Sequence, residues 1–395
     1  MKKILAYALA IVVAASAVAG CSGFEKDIPL RRVTLMYVAG FSNLSNELGK
    51  DIDDMCAGSI PTLRSGDVLL VYSHLAQGRA LSIKTKPVLF RAYRDEKGAF
   101  RRDTLKTYPE ETVSSTAESL RSVLNEVKTM FPAPHYALTV SSHGKGWIPV
   151  GYKEDYSDYI FGEESVRDTR EFCIEQVDGS GINMEDLSVA IPMKLDYIIM
   201  DSCLMGCVET AYELKDKCDY IVFSPMEVLV DGMAYSTMAS RITNVSKPDL
   251  VRVASDYFEQ YNSRSTYYRS ATVTLVDCSG LDHLAEVCKS LVAAHREDIA
   301  GCSHDSVQKY FYNSFHWFFD LRDIFAQSEA DQEELAALDA ALKATVVYEA
   351  HTNPCFGVEM ERVCGLSMYL PYDNLTELND YYRTLSWNKA ISLIQ

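Results

Sequence analysis

Five short, nearly continuous apolar runs recur along the chain: Val33–Val38, Val68–Ser73, Tyr136–Ser142, Leu195–Met200 and Tyr220–Ser224. Each has the length of a strand and lacks the alternation of a half-wetted one, so both of its faces must be covered. Stretches of helical period separate them. In Ser114 to Met130, Ala117, Leu120, Leu124, Val127 and Phe131 fall on one stripe, and Pro132-Ala133-Pro134 ends the helix. Further helices are expected from about Glu47 and from about Leu204 to Lys215. Residues 87–94 and 99–107 read as an exposed β-excursion around Lys97-Gly98. The C-terminal third adds a helix over 248–262, a strand over 271–277, helices around 281–298, 305–315 and 329–348, and a strand from Gly365 to Leu370. Strands alternating with helices at this spacing predict an α/β fold, a mostly parallel central sheet with helices on both faces. No Pro/Gly/Ser linker divides the chain, so residues 32–395 are expected to form one large domain with a C-terminal helical elaboration.

The first twenty residues are of another kind. Met1-Lys2-Lys3 is a basic start, and Ile4 to Ala19 is apolar but too short and too rich in small residues for a comfortable membrane span. It runs into Val18-Ala19-Gly20-Cys21, which resembles a bacterial lipobox. That resemblance implies a signal peptide over 1–20, acylation of Cys21, and a short polar tether over 21–31. Several acyl chains would anchor the protein stably to the cell envelope, on its periplasmic face or at the cell surface, at roughly 0.8 kcal/mol per buried methylene. Net charge is −17. Removal of Lys2 and Lys3 leaves 36 basic residues against 55 acidic, or −19. Such a surface repels nucleic acid and draws in cationic peptides. A hydrophobic content of 48% with 24% charged residues excludes a disordered chain.

Cysteine use narrows the chemistry. Of the 11 cysteines, the ten beyond Cys21 show no compact disulfide framework and no CxxC pair. Cys203 and Cys207 have no histidine nearby in sequence, a poor spacing for zinc, and most of the others are expected to be small buried hydrophobes. No GxxxxGK[ST] phosphate loop occurs. No cofactor is called for.

Two residues stand just past the ends of apolar runs, where open α/β sheets bind ligands. His143 leads into Gly144-Lys145-Gly146-Trp147, whose glycines let backbone approach a substrate and present the Gly144 N–H to an oxyanion. Cys203 falls at the expected start of a helix, where the macrodipole favours a thiolate. Residue chemistry alone leaves two readings open: a nucleophile with its proton-transfer partner, or a small buried cysteine and a structural histidine.

These segments resemble the clostripain family of cysteine peptidases. Pro132-Ala133-Pro134-His135-Tyr136 through His143-Gly144-Lys145-Gly146-Trp147 is similar to its HGxGW segment, and Met200-Asp201-Ser202-Cys203-Leu204-Met205-Gly206-Cys207-Val208-Glu209 to its D-x-C-L-M-x-x-x-E block. Supporting matches are Leu35–Gly40 with Asn43-Leu44, Ser224–Glu227 with Gly232 and Tyr235, and Gly365–Pro371. The resemblance implies a caspase-like three-layer α/β/α sandwich and a His143/Cys203 dyad that cleaves after Arg or Lys. It also implies an oxyanion site at Gly144 and Cys203, and maturation by self-cleavage between the two catalytic residues. Asp201 falls where the family has an S1 acid, and Asp231 is a second candidate. The acidic 151–184 insertion, within a maturation loop of about 151–194, offers Lys153, Arg167 and Arg170, with Lys194 just beyond; Lys153 is favoured as nearest the His143 loop.

The first turn departs from the family in lacking an Asp at Gly40-Phe41-Ser42-Asn43, and Lys145 stands between the two glycines, where it is expected to point to solvent. Calcium dependence does not transfer, because the acidic 154–168 stretch lacks EF-hand spacing. Partners are then basic peptides or proteins and, through Cys21, the membrane; oligomeric state is left open. Rival readings are a transpeptidase or ligase on the same dyad, a non-catalytic peptide-binding envelope lipoprotein, and a thiol oxidoreductase using Cys203 and Cys207. The peptidase reading requires the ring and the thiol to meet within reach of a peptide.

Overall fold

The computed structural model describes residues 29–77, 83–152, 181–312 and 316–395; the leader, Cys21, Lys153, Arg167 and Arg170 lie outside them. In chain order the strands are β1 (Arg32–Gly40), β2 (Asp67–Leu75), β3 (Val88–Arg94), β4 (Phe100–Thr107), β5 (His135–Ser141), β6 (Leu195–Asp201), β7 (Cys218–Phe223), β8 (Thr272–Asp277), β9 (Phe319–Asp320), β10 (Val346–His351) and β11 (Ser367–Met368). Among the described residues nine of them form one sheet in the order β10-β8-β7-β6-β5-β1-β2-β3-β4.

The five strands that the apolar runs foretell, β2, β1, β5, β6 and β7, are consecutive in this sheet and mutually parallel. Antiparallel pairs flank them, β3 with β4 on one side and β8 with β10 on the other. β1, in the middle, is buried at all nine positions, as a run with no wet face requires. Each of its fully buried large apolar side chains contributes about 1.5–3 kcal/mol.

Two groups of helices cover the sheet. One comprises α1 (Ser45–Ala57), with α5 (Tyr235–Ile242) and α6 (Leu250–Asn262) beside it. The other comprises α2 (Ala117–Met130), α3 (Met184–Ala190), α4 (Val208–Leu214), α7 (Leu281–Ala294), α8 (Gln332–Thr345) and α9 (Ser386–Ile391). α2 follows a Thr116 cap whose side chain accepts the Ser119 N–H, and so begins where its apolar stripe does, at Ala117, three residues after the expected Ser114. Ser114 is buried instead, its hydroxyl 2.7 Å from that of Tyr72 and 2.8 Å from His74 Nδ1. No described helix is long and apolar enough to cross a membrane.

Three expectations are corrected. Residues 305–315 form no helix among the described positions; Gln308 and Tyr310 pair instead with 318–320. The helix expected over 329–348 stops at Thr345, and Val346-Val347-Tyr348 begins β10, as β-branched and aromatic residues favour. The late strand shrinks to β11, paired with β9 in a separate two-stranded sheet and bridged through Ser367 to Cys207.

One buried carboxylate ties this second sheet to the first. Glu209 on α4 accepts the Tyr369 N–H at 2.9 Å and the Tyr382 hydroxyl at 2.7 Å. Burial pushes its pKa up from 4.5 to about 7, against those hydrogen bonds. The native state therefore keeps a proton that the unfolded chain releases near pH 4.5. This contribution falls as pH rises from about 4.5 to about 7, by about 3 kcal/mol in all. Denaturant titrations at pH 5 and pH 8 should show Glu209→Gln losing less stability between the two than the parent; equal losses would mean that Glu209 ionises normally.

Candidate active site

β5 and β6 lie side by side in parallel, with Ser141 opposite Asp201. Two residues further along each chain stand His143 and Cys203, so the sheet delivers both residues to its C-terminal edge. Three contacts fix the two loops. The Ser202 hydroxyl donates to the Ser142 carbonyl, and the Ser142 hydroxyl to the Ala39 carbonyl, each at 3.0 Å. Gly144 rests directly on the Cys203 backbone: a Cβ there would lie 2.2 Å from the Cys203 carbonyl oxygen and 2.7 Å from its nitrogen. Only glycine allows that approach. Trp147 then holds the far end of the His143 loop, packed against Tyr369 and Tyr382 at ring-centroid distances of 4.8 and 4.9 Å.

Two more strand ends complete the group. The turn after β1 supplies Asn43, whose Oδ1 lies 2.8 Å from His143 Nε2. An amide oxygen only accepts, so Nε2 carries the hydrogen, and Nδ1 is left as the basic nitrogen of the neutral ring. From the loop after β7, the Val228 N–H donates to Cys203 Sγ at 3.2 Å. The Cys203 thiol in turn faces the Val228 carbonyl at 3.7 Å. Four parallel strands, β1, β5, β6 and β7, thus each contribute one group to the same edge of the sheet, Asn43 meeting His143 and Val228 meeting Cys203.

The helix start expected at Cys203 is not there. α4 begins at Val208, not near Leu204, so Cys203 sits in a turn and not at a helix start. Leu204 takes a left-handed φ of 61°. Its N–H donates to the Met226 carbonyl, that of Gly206 donates to Ser224, and the Gly206 carbonyl accepts from Ser367. These ties use the backbone groups that a helix would need.

Comparison with known proteins gives the family and the fold. The clostripain family profile matches residues 36–393. The chain belongs to the clostripain family. Its sheet and helices superpose on an inactive zymogen C11 protease from Parabacteroides distasonis with a TM-score of 0.76, at 25% identity over 92% of this chain and 98% of that one. A secreted C11 cysteine protease from Bacteroides thetaiotaomicron gives 0.74 at 25% identity, over 92% and 99%. A B. thetaiotaomicron C11 structure carrying an irreversible peptide inhibitor gives 0.74 at 22% identity, over 92% and 100%, which speaks to the fold alone. No curated protein matches significantly. The protein is a clostripain-family cysteine peptidase with the caspase-like α/β fold.

The remaining candidates of this clostripain-family chain fall in different places. Asp201 is fully buried at the end of β6, its Oδ2 accepting from the Tyr235 hydroxyl at 2.5 Å and the Ser141 hydroxyl at 3.2 Å. Tyr257 is buried nearby. Burial pushes its phenol well above 10, and the charges of Tyr261, Asp201, Cys355 and Cys203 push it further. Asp231 is partly exposed and ion-paired, 2.7 Å from Arg264 and 3.9 Å from Lys50. Lys194 immediately precedes β6, at the opposite edge of the sheet, with Nζ on the Cys218 carbonyl and the Asp219 carboxylate. A cut there would have to reach the dyad across the length of a strand. Lys145 is 5% exposed and donates to the Pro149 carbonyl at 2.9 Å; it does not point to solvent.

The dyad itself is covered, with Cys203 2% and His143 4% exposed. The access that a peptide needs is not provided in this form. Asn43, Val228 and Tyr235 are contributors whose roles were not read from sequence; the Asn43-Leu44 and Tyr235 matches were the available signals. Asn43→Ala should lower kcat on the order of 10-fold with little change in KM, since it frees the imidazole without touching substrate. A pH–rate profile unchanged in height and shape would remove Asn43 from the catalytic group.

Proposed function

We propose that this peptidase hydrolyses peptide bonds after Arg or Lys, with Cys203 as nucleophile and His143 as acid and base. The observation that carries the reading is the convergence of His143, Cys203, Asn43 and the Val228 N–H from four adjacent strand ends. Asn43 fixes the ring so that Nδ1 takes the thiol proton. The thiolate attacks the scissile carbonyl, and the Gly144 and Cys203 N–H groups receive the oxyanion. His143 returns the proton to the leaving amine, and water then hydrolyses the thioester.

Asp201 is proposed as the acid that selects a cationic P1 side chain. It lies two residues before the nucleophile, and low polarity around it strengthens a pair with a guanidinium or ammonium. Asp231 would serve only by exchanging Arg264 for the substrate cation. We further propose that the covered dyad belongs to a latent form, opened by self-cleavage within 151–194 with Lys153 favoured, and that Cys21 carries the lipid anchor to the envelope.

Cys203→Ala should abolish turnover of an Arg-containing reporter peptide and leave the purified chain as one intact band; persistent turnover would misassign the nucleophile. For Asp201→Asn, kcat/KM on Arg and Lys reporters should fall on the order of 100-fold, as when one partner of a buried charge pair is lost. Cleavage of a norleucine reporter should be unaffected. An equal fall on all three reporters would make Asp201 structural.

A further inference from the structure

At the opposite edge of the sheet from the dyad, Arg91 on β3 is 6% exposed and makes no hydrogen bond or salt bridge among the described residues. Its Nε is enclosed and without a partner. Across the β3–β4 ladder it faces Asp103, but that carboxylate is exposed and takes the Tyr93 hydroxyl. The rings of Tyr93 and Phe131 lie 5.8 and 6.0 Å from the guanidinium. Burial lowers the Arg91 pKa from its usual value. The Asp103 charge opposes that shift without making contact, and a buried charge is costly unless it is paired and hydrogen-bonded.

Arg91 lines a hollow of about 1290 Å³, together with Arg64, Arg94 and Arg101. Arg64 pairs with Glu96 and Arg101 with Asp95, while Arg94 donates to the Cys56, Ala57 and Gly58 carbonyls that end α1. Four guanidinium groups and two carboxylates therefore line one hollow on a chain of net charge −17. Arg91 is the member with no carboxylate in contact among the described residues; the Asp103 charge acts on it only from across the ladder. The lining also includes Leu63 and Met130, two large apolar side chains left exposed.

We propose that this hollow binds an anionic amphiphile, a phosphate or carboxylate head on an apolar chain, with the head on Arg91 and the chain along Leu63 and Met130. The guanidinium fork matches either head group in bidentate fashion. Such a head arrives either on a free molecule or on a membrane lipid. Pro29 and Leu30, which lead into β1, also line the hollow, so it faces the side from which the N-terminal segment enters. The inference does not depend on the dyad.

Calorimetric titration of the purified full chain tests it, with hexyl phosphate, hexanoate, inorganic phosphate and monomeric dihexanoylphosphatidylglycerol as probes. Saturable binding of hexyl phosphate or hexanoate, roughly 10-fold or more tighter than inorganic phosphate, is expected. Stronger binding of the lipid supports a membrane source, and stronger binding of the single-chain probes a free one. Arg91→Met should weaken binding at least about 10-fold without lowering Tm, because it removes an unpaired charge at similar volume. The surface change Arg64→Gln should weaken it less and serves if Arg91→Met fails to fold. No saturable binding by the parent, or equal binding by parent and both variants, overturns the proposal.

Discussion

The pairing of β5 with β6 is the constraint on which the site rests. Their parallel register sets Ser141 against Asp201, so that whatever follows each strand by two residues emerges at the same height. Parallel strands cannot be joined by a tight turn, so the chain travels sixty residues between His143 and Cys203 to meet itself. Gly144 completes the arrangement, because any side chain there would strike the Cys203 backbone. The placing of His143 beside Cys203 is thus a property of the sheet.

Around that pair, support comes from strand ends and not from a helix. The left-handed Leu204 and the cross-ties of Gly206 hold the nucleophile turn between β7 and the segment leading to β11. On the other side, Trp147 anchors the histidine loop among aromatic rings. The consequence is a rigid but covered dyad.

Much of this was legible in the chain. The buried strands announce themselves because a run with no polar face has one structural solution, and the five runs proved to be the five parallel strands. The His143 and Cys203 motifs stood at strand ends, where position alone suggests chemistry. What escaped was non-local. Asn43 is a hundred residues from the ring that it orients, and no periodicity encodes that bond. Helix propensity after Cys203 was overruled by contacts with Ser224 and Ser367. Lys145 read as solvent-facing because nothing in its local sequence signals its bond to the Pro149 carbonyl.

That the two strands bearing the dyad are neighbours also sets the fate of a nicked chain. If the stretch between them were severed, β5 and β6 would belong to separate polypeptides, joined by their ladder and the packed core with no peptide link remaining. Such an enzyme could operate as a two-piece assembly for as long as it stayed folded. Once melted, its halves would have to find each other again by diffusion, so recovery would depend on dilution and inactivation would become effectively one-way.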